Sequence, residues 1–186
     1  MNSIQNIDNI QKAWLLATKL HQGQKYGGSK AGEDVDYINH IGSVVFEVMN
    51  VLPHEKAMNV DLAILCATLH DSVEDTLFTY EDVETHFGKT VADGVMALTK
   101  DETLEGGKRV KMEDSLKRIK QQPKEIWMVK LADRIVNLSS APHYWNTEKK
   151  KAYQEEGQLI LEALKEGSVF LANRLEEKIK EYRQYF

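Results

Sequence analysis

Four ionisable side chains fall within six positions of Leu69-His70-Asp71-Ser72-Val73-Glu74-Asp75-Thr76. Side chains three and four apart share a helix face, so Glu74 is one turn from both His70 and Asp71, and Asp75 one turn from Asp71. Burying an imidazole with several carboxylates costs several kcal/mol unless a cation or hydrogen bonds compensate. A solvated helix end would present the same residues at no such cost. A second segment, Val129 to Leu138, places Lys130, Asp133 and Asn137 on one polar stripe, while Leu131, Ile135 and Leu138 point toward a core. Such a stripe suits a lined cavity, or an exposed face with an ordinary Lys-Asp pair. The third segment is Tyr37-Ile38-Asn39-His40, where a lone histidine has structural uses as well as ligating ones. Together the segments supply two imidazoles and two carboxylates without a thiolate, a set that suits Mn²⁺, Fe²⁺, Co²⁺ or Zn²⁺.

The elements that must position these groups are helical. Ile7, Ile10, Trp14, Ala17 and Leu20 recur at threes and fours before His21. Gly23, Gly27, Gly28 and Gly32 mark Gln22 to Asp36 as a loop. A second helix is predicted from Ile38 to Leu52, stopped by Pro53, and a third from Val60 to Asp71, apolar on all sides. Thr79 followed by Asp82 predicts a capped helix through Phe87, ended by Gly88. A helix through Val91, Val95 and Leu98, a loop from Asp101 to Gly107, and a basic helix from Lys108 to Lys120 come next. Pro123 suits the first turn of the helix carrying Trp127, Leu131 and Ile135. Two amphipathic segments follow, through Leu159 to Leu164 and Phe170 to Ile179; they suit either closing the core or pairing with a second copy. Trp14, Trp127 and Trp145 stand at core-like spacing. No period-two run is long enough for a sheet, so the expectation is one all-α domain of about eight helices over residues 1–186.

Composition sets the outer bounds. The 186 residues suffice for one buried core, and 42% hydrophobic with 28% charged is globular composition. A net charge of -5 argues against a general nucleic-acid surface, though not against a small phosphorylated ligand. Cys66, the single cysteine, excludes an intramolecular disulfide and favours a reducing, cytoplasmic setting; four residues before His70, it reads as a small buried hydrophobe. The polar stretch Met1 to Gln11 lacks the apolar core of a signal peptide, and no run approaches membrane-spanning length. His54, His86 and His143 lack a ligand context, and His21 is left between a supporting and a helix-end role.

The order of the segments resembles the HD phosphohydrolase superfamily, and more narrowly the small alarmone hydrolases and the hydrolase domain of bifunctional alarmone synthetase/hydrolases. The resembling strings are His21-x-Gly23-Gln24, Tyr37-Ile38-x-His40, Leu69-His70-Asp71-x-Val73-Glu74-Asp75-Thr76, Val83-Glu84-x-His86-Phe87-Gly88, Leu98-Thr99 and Val129-Lys130-Leu131-Ala132-Asp133-Arg134-x-x-Asn137-Leu138. The resemblance implies a helical fold and Mn²⁺-dependent removal of the 3′-pyrophosphate from guanosine tetra- or pentaphosphate, giving GDP or GTP. Carried over position by position, His40, His70, Asp71 and Asp133 hold the metal, and Glu74 and Asp75 orient and deprotonate the attacking water. Lys130 and Asn137 then line the nucleotide site, and Arg109 and Lys111 of the basic helix are offered to the outer phosphates. That helix also suits a solvated face.

The chain departs from the pattern in three places. Asp36 and Ile41 stand where prolines commonly flank the Tyr-Ile-x-His string, and the glycine-rich loop is longer. Two places after the Gln24 of the first string, following Lys25, the expected arginine is Tyr26. A tyrosine offers a stacking face and one hydroxyl, or lies on the surface of the loop. Selectivity for the base is therefore expected to be looser than for the phosphate end. The alternatives are hydrolysis of another nucleotide or nucleotide cofactor, and a nucleotide-binding regulator without turnover. The acidic pair Glu74 and Asp75 speaks against the regulator, which has no use for it.

Overall fold

The computed structural model describes residues 3–186; Met1 and Asn2, which begin the polar N-terminal stretch, lie outside the described residues. The helical spacing becomes α1 (Ile7–Leu20), α2 (Ile38–Asn50), α3 (Val60–Leu69), α4 (Ser72–Asp75), α5 (Tyr80–Phe87), α6 (Lys89–Leu98), α7 (Lys108–Lys120), α8 (Lys124–Asn137), α9 (Thr147–Leu164) and α10 (Val169–Glu181). A 3-10 turn, Tyr182–Tyr185, follows α10. The all-α expectation holds with more helical segments than about eight, partly because the predicted Val60–Asp71 helix ends at Leu69 and restarts as α4. The glycine-rich loop also contains an antiparallel ribbon, β1 (Lys25–Tyr26) and β2 (Val35–Asp36), which period-two patterning did not reveal because each strand is only 2 residues long.

Side chains at the helix starts explain several boundaries. Asn6, Asn59, Asn146 and Ser168 each accept from a backbone N–H in the first turn they precede, and Thr79 with Asp82 forms the expected capping box. Gly88 ends α5 at φ 86°, a backbone region that favours glycine. Pro123 stands just outside α8, one position earlier than its expected place in the first turn.

The site hangs from α3 and α8. Every residue of α3 except Asp61 is buried, and the helix packs against α1, α2, α6 and α8. Burying each of its Leu, Ile and Val side chains is worth about 1.5–3 kcal/mol. The close approach of α6 needs Gly94, where a Cβ would lie 2.6 Å from Ile126 Cδ1 and 2.9 Å from Cys66 Sγ. Cys66 is buried there as a free thiol, raised above its usual range by burial. The core is one cluster running from Ala13 to Tyr182. The C-terminal helices join it through Leu161, Leu164, Leu171 and Leu175, so their apolar faces close this chain's own core. Trp14 departs from expectation: of α1 only Ala13 and Ala17 are buried, and Trp14 lies at the edge against Gly42. Trp127 and Trp145 are half-buried. No helix among the described residues is long and apolar enough to cross a membrane.

Candidate metal centre and its cavity

Side chains of the site itself end α3. Ser72 Oγ donates to Leu69 O at 2.6 Å, and His70 Nδ1 lies 2.8 Å from Ala67 O, so both serve carbonyls that the helix leaves without partners. A carbonyl only accepts, so Nδ1 carries the hydrogen and Nε2 keeps its lone pair. That Nε2 is buried, makes no hydrogen bond, and lies 2.9 Å from Asp71 Oδ2 and 3.9 Å from Asp133 Oδ1. A lone pair facing carboxylate oxygens is repulsive unless a proton or a cation stands among them. In the cation's absence the imidazole binds the proton. Burial acts to lower its pKa, but the Asp71 carboxylate, aided by Asp133 and the Ala67 carbonyl, outweighs burial and pushes it up to about 9. Against the same burial, His70 and His40 hold Asp71 well below the usual carboxylate range, and Lys130 leads in holding Asp133 at about 2.

His40, in the first turn of α2, completes the cluster. Its Nε2 is 3.5 Å from Asp71 Oδ2 and 3.6 Å from Asp133 Oδ1. The ligand atoms of His40, His70 and Asp71 all lie within 4.8 Å of one another. Asp133 stands outside that trio, turned toward it by its own helix: Asn137 Nδ2 donates to Oδ1 at 2.5 Å and Lys130 Nζ to Oδ2 at 3.0 Å. The stripe anticipated along α8 is therefore real, and it faces a cavity. Two imidazoles, acidic oxygens, no thiolate and an orphaned buried Nε2 fit a divalent cation.

The cavity measures about 720 Å³, with His40, Asp71 and Asp133 in its lining. Glu74 and Asp75 also line it but are held differently. Glu74, on the short helix α4, pairs with Lys100. Its two oxygens take the Lys100 ammonium at 2.5 Å and the Lys100 backbone N–H at 2.9 Å. Asp75 has one long contact, with the Tyr37 hydroxyl at 3.3 Å from Oδ2. Burial and the neighbouring Asp71 and Glu74 raise its carboxyl above the usual range. The lining also carries Lys100, Lys108, Lys111 and Lys149, and Arg134, whose guanidinium lies over the Tyr153 ring.

Not every expected residue reaches this cavity. Lys111 lines it, paired with Glu102, and so do Lys130 and Asn137, although both direct their polar ends to Asp133. Arg109 does not: it is exposed, pairs with Glu113 at 2.9 Å, and borders a groove between α7 and α9, because it lies on the outer face of its helix. Lys25 is likewise exposed and paired with Asp36 across the ribbon at 2.5 Å. Tyr26 is neither a surface tyrosine nor an open stacking face. It is half-buried, its ring stacked on His40 at 4.8 Å and its hydroxyl 3.1 Å from Asn137 Oδ1. Lys25 and Tyr26 border a smaller cavity of about 200 Å³ beside the main one. Tyr37 and Arg134, both within the family-like strings but with no role legible from their spacing, also line the cavity. Lys100, Lys149 and Tyr153 carried no motif, and only folding brings them here.

A family model for the HD domain matches residues 13–167. This chain belongs to the HD-domain family. The HD-domain chain is 31% identical over 173 residues to the guanosine-3′,5′-bis(diphosphate) 3′-pyrophosphohydrolase MESH1 of Xenopus tropicalis, covering 90% of each. It is 32% identical over 173 residues to the Homo sapiens protein of the same name, covering 89% of this chain and 87% of that one. A solved structure described as a metazoan ortholog of SpoT that hydrolyzes ppGpp superposes with a TM-score of 0.79, over 96% of this chain and 98% of that one; at 24% identity it speaks for the fold alone. The HD-domain chain is a phosphohydrolase, and its His/His/Asp cluster implies a divalent metal.

Proposed function

We propose that the chain hydrolyses guanosine-3′,5′-bis(diphosphate) at its 3′-pyrophosphate, with Mn²⁺ held by His40, His70, Asp71 and Asp133. The observation that carries this reading is the orphaned Nε2 of His70, facing Asp71 and Asp133 where a lysine-rimmed cavity opens. The substrate is supported by the similarity to MESH1 along 90% of both chains. The single cysteine supports a reducing, cytoplasmic setting.

The chemistry a bound divalent cation supplies is polarisation of a phosphoryl oxygen and a lowered pKa of a bound water. The chain's own groups do the rest. Asp75, with its single long contact, takes the proton of the attacking water. Glu74, with both oxygens held by Lys100, stays in place to orient that water. Lys108, Lys111 and Lys149 offset the phosphate charge at the rim. Water adds across the 3′-phosphoester; the nucleotide keeps the 3′-hydroxyl and pyrophosphate leaves.

A substrate panel with added Mn²⁺ tests the reading. Release of pyrophosphate from the 3′ position supports it. Release of phosphate only from other nucleotides, or binding without release, overturns it.

A further inference from the structure

Two tyrosines leave the glycine-rich loop at its two ends, and the scheme above uses only the long contact of the Tyr37 hydroxyl with Asp75. The ribbon brings them together: Tyr26 pairs with Val35, and the Tyr37 N–H donates to Gln24 O at 3.0 Å. Their rings meet edge to face at 6.2 Å. Both also lie against His40, Tyr26 stacked at 4.8 Å and Tyr37 tilted at 5.2 Å. His40 Nδ1 is buried and makes no hydrogen bond, so no hydrogen bond through that nitrogen orients the ring; these two faces do.

The hydroxyls reach the carboxylates. Tyr37 donates at 2.7 Å to Asp71 Oδ2, the same oxygen that faces both imidazoles. Tyr26 donates to Asn137 Oδ1 at 3.1 Å, and Asn137 Nδ2 donates to Asp133 Oδ1, the oxygen that faces His40 and His70. A carboxylate only accepts, so Asp133 fixes the amide with its NH₂ inward and leaves the carbonyl for Tyr26. The turn His21-x-Gly23-Gln24 braces the assembly. His21 stacks on Tyr37 at 5.0 Å and meets Gln24 Oε1 through Nδ1 at 2.7 Å, while Gln24 Nε2 donates to the Asp75 carbonyl at 2.9 Å.

We infer that Tyr26 and Tyr37 are positioning residues that hold His40, Asp71 and Asp133 in place for the cation, and that Tyr26 serves the metal site rather than the nucleotide base. The inference rests on the metal-dependent reading above. Partners that orient metal ligands from behind are worth about 10–100-fold in metal affinity.

The test is Mn²⁺ titration of metal-free protein, followed by calorimetry or by quenching of tyrosine and tryptophan fluorescence. Tyr37→Phe and Tyr26→Ala are each expected to weaken Mn²⁺ binding by about 10–100-fold. Tyr26→Phe, which keeps the stack and loses the hydroxyl, should fall between Tyr26→Ala and the unaltered chain. At saturating Mn²⁺, KM for the nucleotide should stay within about twofold of the unaltered chain, because neither hydroxyl is assigned to it. Unchanged Mn²⁺ affinity in Tyr26→Phe and Tyr37→Phe, both isosteric enough to fold, overturns the inference while leaving the function intact. A raised KM with unchanged metal affinity in Tyr26→Ala overturns it in favour of a base contact. Failure of the unaltered chain to bind Mn²⁺ overturns the functional reading itself, and the inference with it.

Discussion

His70 and Asp133 leave helices that are buried almost throughout, whereas Lys108 and Lys111 leave α7, where only Met112, Ser115, Leu116 and Ile119 are buried. The floor and rim of one cavity are thus built under opposite constraints. A charge on the floor has lost its water, so each group there is held by several others: Asp133 by Lys130, Asn137 and the two imidazoles, and Asp71 by His70, His40 and Tyr37. At the rim Lys108 is exposed, while Lys111 is largely covered and has one acidic partner, Glu102. Substitutions on the floor therefore act through several partners at once, while those on the rim involve at most one acidic partner.

The largest effect should come from Asp133→Ala. It removes an oxygen that faces both imidazoles and leaves the buried Lys130 ammonium without its partner. Loss of Mn²⁺ binding and of activity together is expected, with about 3–5 kcal/mol less stability in denaturant unfolding of the metal-free protein. Retained metal at full affinity would mean that the floor is not one unit.

Next come the two acids above the floor. Asp75→Asn should lower kcat by about 10²–10⁴-fold with Mn²⁺ still bound, as expected for a general base. Glu74→Gln keeps an acceptor for the Lys100 backbone N–H and should cost less. The reverse order in single-turnover rates would exchange their roles. Lys111→Ala at the rim should raise KM by about tenfold, the equivalent of roughly 1.4 kcal/mol, with kcat nearly unchanged. A fall in kcat instead would place Lys111 at the reacting phosphate.

Arg109→Ala is the smallest. Its partner Glu113 is an exposed neighbour on the same helix, and such pairs are worth about 0.3–0.5 kcal/mol. kcat/KM within about twofold of the unaltered chain is expected; a tenfold loss would extend the rim to the outer face of α7.

The amino-acid sequence alone determined most of the helices, though not the separate α4, and which groups they carry. Apolar positions at threes and fours, the Thr79 capping box and the wholly apolar α3 are local properties, and local propensities with burial settle them. The His40, His70 and Asp71 trio was likewise readable, because Tyr37-Ile38-x-His40 and His70-Asp71 are short strings on single elements. Three things were decided only by packing. Glu74 took as its partner Lys100, a residue 26 positions on. The ribbon, too short to leave a period, placed Tyr26 on His40 and removed it from the open cavity. The rotation of α7 sent Lys111 inward and Arg109 outward, although they are two residues apart on a helix whose charges look alike. In each case the outcome depends on contacts between residues far apart in the chain, and periodicity carries no record of those; burial and hydrogen bonding in the assembled core supply them.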